Sequence, residues 1–94
     1  MNKEDVREII SIYETNLSTH GIKPARMDTG MTLFELAQEE DRLIAHTLYL
    51  CNTIRTLLEK PEKFNKVNRL LGFLQACVSL LNLYTVDDLR NHNR

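Results

Sequence analysis

Residues 61–83 read PEKFNKVNRLLGFLQACVSLLNL, and this stretch decides the fold. Its apolar residues recur at helical spacing, but they cover far more than the stripe of about 100° that faces the core in an ordinary surface helix. The narrow polar seam that remains consists of Asn68, Gly72, Gln75, Ser79 and Asn82. The pattern predicts a helix over residues 61–83, the third of the chain, that needs cover on several sides.

Self-association follows from this helix, because a chain of 94 residues has few other helices with which to cover it. Each large apolar side chain left in water forfeits about 1.5–3 kcal/mol, and several together favour aggregation. We therefore expect a homo-oligomeric helical bundle, in the simplest case a two-fold dimer with the third helix at its centre. The candidate interface residues are Leu70, Gly72, Phe73, Leu74, Cys77 and Leu81. Gly72 would let a second backbone approach closely.

The N-terminal third of the chain predicts one helix followed by a long arm. The helix covers residues 3–19, with Asn2 as its N-cap and Gly21 suited to the left-handed position after its end. The arm, residues 21–31, reads GIKPARMDTGM, and Pro24 with two glycines prevents the helix from continuing. Eleven residues is long for a connection, so we expect the arm either to pack in a fixed position or to carry function.

The remaining signals predict a second helix over residues 33–59 and a short fourth helix over residues 86–91. Thr32 begins the second helix as part of a capping box, and Pro61 separates it from the third helix. The expected fold is a single all-α domain over residues 1–94. In it the second and third helices form an antiparallel hairpin and the first helix lies across them.

Composition excludes several classes of protein. Twelve Lys and Arg balance 13 Asp and Glu, for a net charge of −1, which argues against a dedicated nucleic-acid binder. The start, MNKEDVREII, lacks the apolar segment of a signal peptide, and no apolar run reaches the roughly 18 residues of a membrane span. Cys51 and Cys77 lie in apolar helical stretches, so we expect free, buried thiols.

The best candidate for an anionic-ligand or partner site follows one face of the second helix. This face carries Arg42, His46, Tyr49 and Thr53 at helical spacing. Arg and His pair with phosphate or carboxylate, and Tyr stacks on a base. Cations on the third helix and in the arm extend this set. The candidate site residues are Arg42, His46, Tyr49, Lys66, Arg69, Lys23 and Arg26. The alternative is that His46 and Tyr49 pack at an interface while Arg42 pairs with Glu39 or Gln38.

No group of residues carries a catalytic, cofactor or metal signature. P-loop, GxGxxG and CxxC motifs are absent, and the histidines and cysteines are scattered rather than ordered for nucleophilic catalysis. Glu35, Glu39, Glu40 and Asp41 form one acidic cluster, but a Mg²⁺ site of the helical nucleotide-hydrolase type needs a second acidic pair, which the third helix lacks. We expect no enzymatic activity, metal or cofactor; a metal-dependent hydrolase using Glu35, Glu39 and Glu40 is a remote alternative.

Residues 68–94, NRLLGFLQACVSLLNLYTVDDLRNHNR, combine an R-x-LGF-x-Q core, an LYTVDDL capping box and a final His-Asn pair. The matching positions are Arg69, Leu71, Gly72, Phe73, Gln75, 83–85, 88–89 and 92–93. This pattern, with HTLYLCNTI at residues 46–54, resembles small helical accessory proteins encoded by phages and prophages. The resemblance implies a virus-encoded protein that acts in the bacterial host cytoplasm.

Small phage accessory proteins without catalytic motifs commonly act by stoichiometric binding. The resemblance therefore implies a non-enzymatic, anti-defence binding protein. Such a protein either sequesters a nucleotide immune signal between protomers or blocks a host defence protein. A small DNA-binding regulator is the alternative, with the last two helices as a helix-turn-helix. The terminal segment VDDLRNHNR starts with two acids that would repel phosphate, which disfavours it.

Overall fold

The structure of the protein is a computed structural model that describes residues 2–28 and 30–81. Every regular element in this part of the chain is helical, so the all-α prediction is confirmed there. The elements are α1 (Lys3–Ser18), α2 (Leu33–Ala37), α3 (Glu40–Leu57), a 3₁₀ turn (Pro61–Lys63) and α4 (Phe64–Leu80). The predicted helix over residues 86–91 lies outside the described residues. None of the described helices has the length and apolar character needed to cross a bilayer.

Capping signals begin and end the first helices where the sequence predicts. The Asn2 side chain accepts a hydrogen bond from the Asp5 N–H at 2.9 Å, and the Asp5 carboxylate accepts from the Asn2 N–H at 3.4 Å. Thr32 Oγ1 accepts from the Glu35 N–H at 3.1 Å at the start of α2. Gly21 has φ +67°, the left-handed conformation that favours glycine after a helix end.

The second predicted helix is wrong as a continuous element, because the structure divides it into α2 and α3. The chain leaves helical geometry at Glu39, where φ is −121° and ψ is 86°. The break places Glu40 and Asp41 in the first turn of α3, where carboxylates interact favourably with the helix dipole. It also lets α2 pack against α3, with Leu36 fully buried. Tertiary burial therefore overrides the uniform helix propensity of this stretch.

The core is built around α3, which packs against α4, α1 and α2. Two ion pairs add to the packing of α1: Glu14 of α1 pairs with Arg55 of α3, and Arg7 of α1 pairs with Glu59 at 3.2 Å. The side chains of α3 that are buried in this core include Leu43, Ile44, Leu48, Leu50, Cys51 and Ile54.

The third predicted helix, α4 with its leading 3₁₀ turn, is covered by its own chain more completely than its sequence suggests. Leu74 and Cys77, two of the candidate interface residues, are fully buried in the core of this chain, while the interface itself stays a prediction. Gln75, predicted in the polar seam, is also buried. The pattern failed because a helix that is apolar on all sides does not indicate which side faces its neighbours.

The other candidate interface residues keep some exposure. Leu70, Phe73 and Leu81 are half-buried and pack against the same core, while Gly72 is exposed with no atom within 4 Å of the position a Cβ would occupy. Leu80, next to Leu81, is 43% exposed. The homo-oligomer stays a prediction, and these residues leave it a smaller apolar surface than the sequence indicated.

The arm between α1 and α2 packs against α3 over its first half. Ile22 contacts a small apolar cluster of Leu17, Ile44 and Leu48. The Ala25 N–H then donates to the Ala45 carbonyl at 3.0 Å, and the Met27 N–H donates to Nδ1 of His46 at 3.1 Å. These contacts bring arm side chains beside the hairpin of α3 and α4.

Candidate ligand-binding groove

A groove of about 560 Å³ lies between the arm, α3 and α4, and we call it the arm groove. Its volume falls within the range of about 300–1,000 Å³ that is typical of small-molecule sites. The lining residues are Arg26 and Met27 from the arm, His46, Tyr49, Leu50 and Thr53 from α3, and Lys66, Leu70 and Phe73 from α4. All of these lining residues belong to the described part of one chain.

Four of the seven candidate site residues meet in the arm groove: Arg26, His46, Tyr49 and Lys66. The helical spacing of His46 and Tyr49 does place both on the side of α3 that borders the groove. Two further lining residues, Leu70 and Phe73, were predicted from the sequence as interface residues instead. The apolar wall of the groove is thus part of the surface for which the sequence predicted cover.

The other three candidates do not line the arm groove. Arg42 pairs with Glu39 at 3.3 Å, which is the alternative that the sequence left open, and it borders an adjoining depression beside Asp28. Arg69 and Lys23 are exposed outside the groove.

His46 is the best-fixed polar group of the groove. The residue is 5% exposed, and its ring stacks on Tyr49, with centroids 5.9 Å apart and planes at 19°. Phe73 meets it edge-on at 5.7 Å and 82°. Because Nδ1 accepts the Met27 N–H, the neutral ring must carry its proton on Nε2.

The surroundings of His46 favour this neutral form. Burial lowers the pKa of His46 below its ordinary value of 6.5, and the positive charge of Arg26 lowers it further. His46 therefore acts near neutral pH as an uncharged packing and hydrogen-bonding group rather than as a cation that pairs with an anion.

The positive charge of the groove comes from Arg26 and Lys66. Both side chains are exposed, and they reach the groove from different elements, the arm and α4. No described residue forms an ion pair with either. The groove thus combines two available cations with aromatic faces from Tyr49 and Phe73, an arrangement suited to a ligand with a planar ring and an anionic group.

The other reactive side chains carry no comparable site. Burial raises the pKa of Cys51 to about 12 and that of Cys77 to about 11, so neither is a ready nucleophile. Among the described residues, no three His, Cys, Asp or Glu side chains are placed to hold a metal ion. Glu39 of the acidic cluster is engaged by Arg42.

Sequence reasoning missed Met27 and Leu50 as groove residues. Leu50 follows the helical spacing of the α3 core, and nothing in that pattern separates a core position from a groove position. Met27 contributes through its backbone N–H to a histidine 19 residues away, which no side-chain pattern records. Pro24 in the arm was the one available signal, because it indicates a segment held in extended conformation.

Comparisons with protein-family models, with curated proteins and with solved structures find no match to this chain.

Proposed function

We propose that this chain is a non-enzymatic binding protein that takes a nucleotide-class ligand in the arm groove and acts by stoichiometric sequestration. Its resemblance to phage and prophage accessory proteins, carried by Arg69, Gly72, Phe73 and Gln75 within α4 and by the segment after it, supports an anti-defence role in a bacterial host. In that role the ligand is a nucleotide immune signal.

One observation carries the proposal: the same groove is lined by aromatic faces and by two cations that form no ion pair with any described residue. A base stacks favourably on an aromatic side chain, at about 1–3 kcal/mol per base, and Tyr49 and Phe73 offer such faces. A phosphate pairs favourably with Arg26 and Lys66. Leu50 and Leu70 add apolar surface of the kind that excludes water from small-molecule sites.

The proposal differs from the sequence-based expectation in where the ligand lies. That expectation placed the nucleotide between protomers, whereas the lining residues of the arm groove come from one chain. The proposed stoichiometry is one ligand per chain, whether or not the chain self-associates. Self-association through the exposed part of α4 is a separate proposal, tested by sedimentation at several protein concentrations.

Isothermal titration calorimetry with cyclic mononucleotides and cyclic dinucleotides tests the function directly. For a ligand of about 22 heavy atoms at about 0.3 kcal/mol each, the expected Kd is on the order of 10 μM. The expected stoichiometry is one ligand per chain. Absence of heat with every member of the panel, at protein concentrations well above this Kd, rejects the nucleotide proposal.

Matched variants tie any binding to the arm groove. Arg26→Gln and Lys66→Gln each remove a charged hydrogen bond to phosphate, so each should weaken binding about 10-fold. Lys23→Gln on the arm and Arg69→Gln on α4 remove the same charge outside the groove, so their Kd values should stay within about 2-fold of wild type. Equal losses for all four variants would mean that net charge rather than the groove determines binding.

A host defence protein is the second candidate partner, and one observation favours it. Phe34, on the short helix α2, is 76% exposed, and exposed aromatic side chains are frequent anchors of protein interfaces. If this surface acts, Phe34→Ala should abolish protection of a phage on a host with the relevant defence system. Arg26→Gln should then leave protection intact. The nucleotide proposal predicts instead that Arg26→Gln weakens protection and that Phe34→Ala leaves it intact.

A further inference from the structure

We propose that His46 is a positioning residue of the arm groove: its neutral ring holds the arm and Arg26 beside α3, and its protonated ring releases them. The contact between His46 and the arm matters for function only if the arm groove is the binding site, so this inference rests on the proposed function. The contact itself is a property of the ligand-free protein and is tested in that state.

Two backbone hydrogen bonds fasten the arm beside this groove, on either side of Arg26. The Ala25 N–H donates to the Ala45 carbonyl at 3.0 Å, and this acceptor does not titrate. The Met27 N–H donates to His46 Nδ1 at 3.1 Å, and this acceptor does. Because Arg26 lies between the two bonds, loss of the second frees one end of the segment that carries its guanidinium.

A proton taken from solvent onto His46 converts the acceptor into a donor. In the imidazolium both ring nitrogens carry hydrogen, so the Nδ1–H would then face the Met27 N–H with no acceptor between them. The ring stacks on Tyr49 and makes an edge contact with Phe73, so a rotation away from Met27 would disturb both contacts. The arm therefore has to move if the proton is to stay.

The charge that opposes this proton is that of Arg26 from the arm. Two further cations line the arm groove or the adjoining depression: Lys66 of α4, and Arg42 of α3, which pairs with Glu39 at 3.3 Å. Asp28 is the one carboxylate among the residues that line the arm groove and the adjoining depression. Tyr49 of α3 stacks on the ring.

Release of the arm reverses the pH dependence that charge alone would give to ligand binding in the arm groove. Simple electrostatics predicts that a positive charge gained on His46 strengthens the binding of an anion at the groove. Release of the arm predicts the reverse, because Arg26 and Met27 leave the wall that they form. A cyclic mononucleotide, whose phosphodiester does not titrate near neutral pH, would therefore bind more weakly as the solution becomes acidic.

An NMR pH titration of the ligand-free protein tests the contact. His20→Asn and His92→Asn give a background in which His46 is the one remaining histidine. Between about pH 8 and pH 5, the amide signals of Ala25 and Met27 should shift with the same midpoint as the His46 ring. The amides of Ser11 and Thr15, on the outer face of α1, should show no such transition.

Three variants sharpen the test. His46→Asn places an oxygen acceptor near the Nδ1 position without a titratable group, so the Met27 signal should become independent of pH. Arg26→Gln removes a neighbouring positive charge, so the His46 midpoint should rise, whereas Lys23→Gln should leave it where it is.

A His46 ring that titrates while Ala25 and Met27 show no transition overturns the proposal, and so does a pH-dependent Met27 signal in His46→Asn. The wild-type ring and amide signals decide the question even if His46→Asn does not fold. The NMR titration uses ligand-free protein, so it is independent of the calorimetry. If no nucleotide in the calorimetric panel binds, the nucleotide proposal is rejected and the NMR result is unaffected. If the arm does not respond to pH, the calorimetric result is unaffected.

Discussion

Leu74→Ala distinguishes a chain that covers α4 by itself from one that needs a second copy. Leu74 is fully buried among side chains of its own chain. Truncation of a buried leucine costs about 2–5 kcal/mol, through the lost transfer free energy and the cavity left behind. A domain of this size has a free energy of unfolding of about 5–14 kcal/mol, so the variant should fold with a much reduced margin.

Thermal and urea denaturation followed by circular dichroism measure this loss. At about 4–8 °C per kcal/mol for a domain of this size, a loss of about 3 kcal/mol lowers Tm by about 12–24 °C. The matched control is Leu80→Ala on the same helix, where the side chain is 43% exposed and the cost should be about 1 kcal/mol or less.

Protein concentration separates the two explanations of any loss. If Leu74 belongs to the core of one chain, the difference between variant and wild type is the same at low and high concentration. If it lies between copies, the wild-type Tm rises with concentration, and Leu74→Ala removes that rise. A cost below about 1 kcal/mol for Leu74→Ala, or a loss confined to the concentration-dependent part, would refute the placement of Leu74 in the core.

Three further predictions follow from local features. The pKa of His46 is lowered in the folded protein, so below about pH 6.5 the unfolded state binds more protons. The free energy of unfolding therefore falls as the pH drops below that value, by at most about 1.4 kcal/mol per pH unit. Urea denaturation should show a steeper fall for wild type than for His46→Asn, and identical slopes would contradict the lowered pKa. Burial raises the pKa of Cys51 to about 12 and that of Cys77 to about 11. Both thiols should therefore react with an aromatic disulfide reagent only after unfolding. Rapid labelling of both thiols in the native protein would show that they are not buried. Thr32→Ala removes the N-cap acceptor of the Glu35 N–H and should lower the free energy of unfolding by about 1 kcal/mol. The control Thr15→Ala, within α1, should change it by less than about 0.5 kcal/mol. Equal losses for the two variants in urea denaturation would rule out the cap.

Features encoded within a few residues were predictable from the sequence. The Asn2–Asp5 box, the Thr32 cap and the left-handed Gly21 each depend on a side chain or a glycine that acts on its immediate neighbours. Such interactions survive in almost any tertiary context. The grouping of His46 and Tyr49 on one side of a helix is of the same kind, because the periodicity of the helix fixes it.

Features decided by packing were not predictable. Gln38 to Asp41 carries no glycine or proline, so no local signal marks the break between α2 and α3, which accompanies the burial of Leu36. The sequence of α4 is apolar on nearly all sides. Its pattern therefore could not predict that Leu74 faces the core while Leu80 faces outward. The contact between Met27 and His46 joins a backbone N–H to a side chain across an irregular arm, and no periodicity encodes it.

The central claim is that a nucleotide-class ligand binds in the arm groove of a single chain. Two-dimensional NMR of the ¹⁵N-labelled protein, titrated with the tightest-binding cyclic nucleotide of the panel, tests it most directly. We expect shift changes that saturate at one ligand per chain and are largest at the amides of Arg26, Met27, Tyr49, Lys66 and Phe73. Unchanged spectra at ligand concentrations far above the expected Kd, or changes centred on α1 or on Phe34, would contradict it.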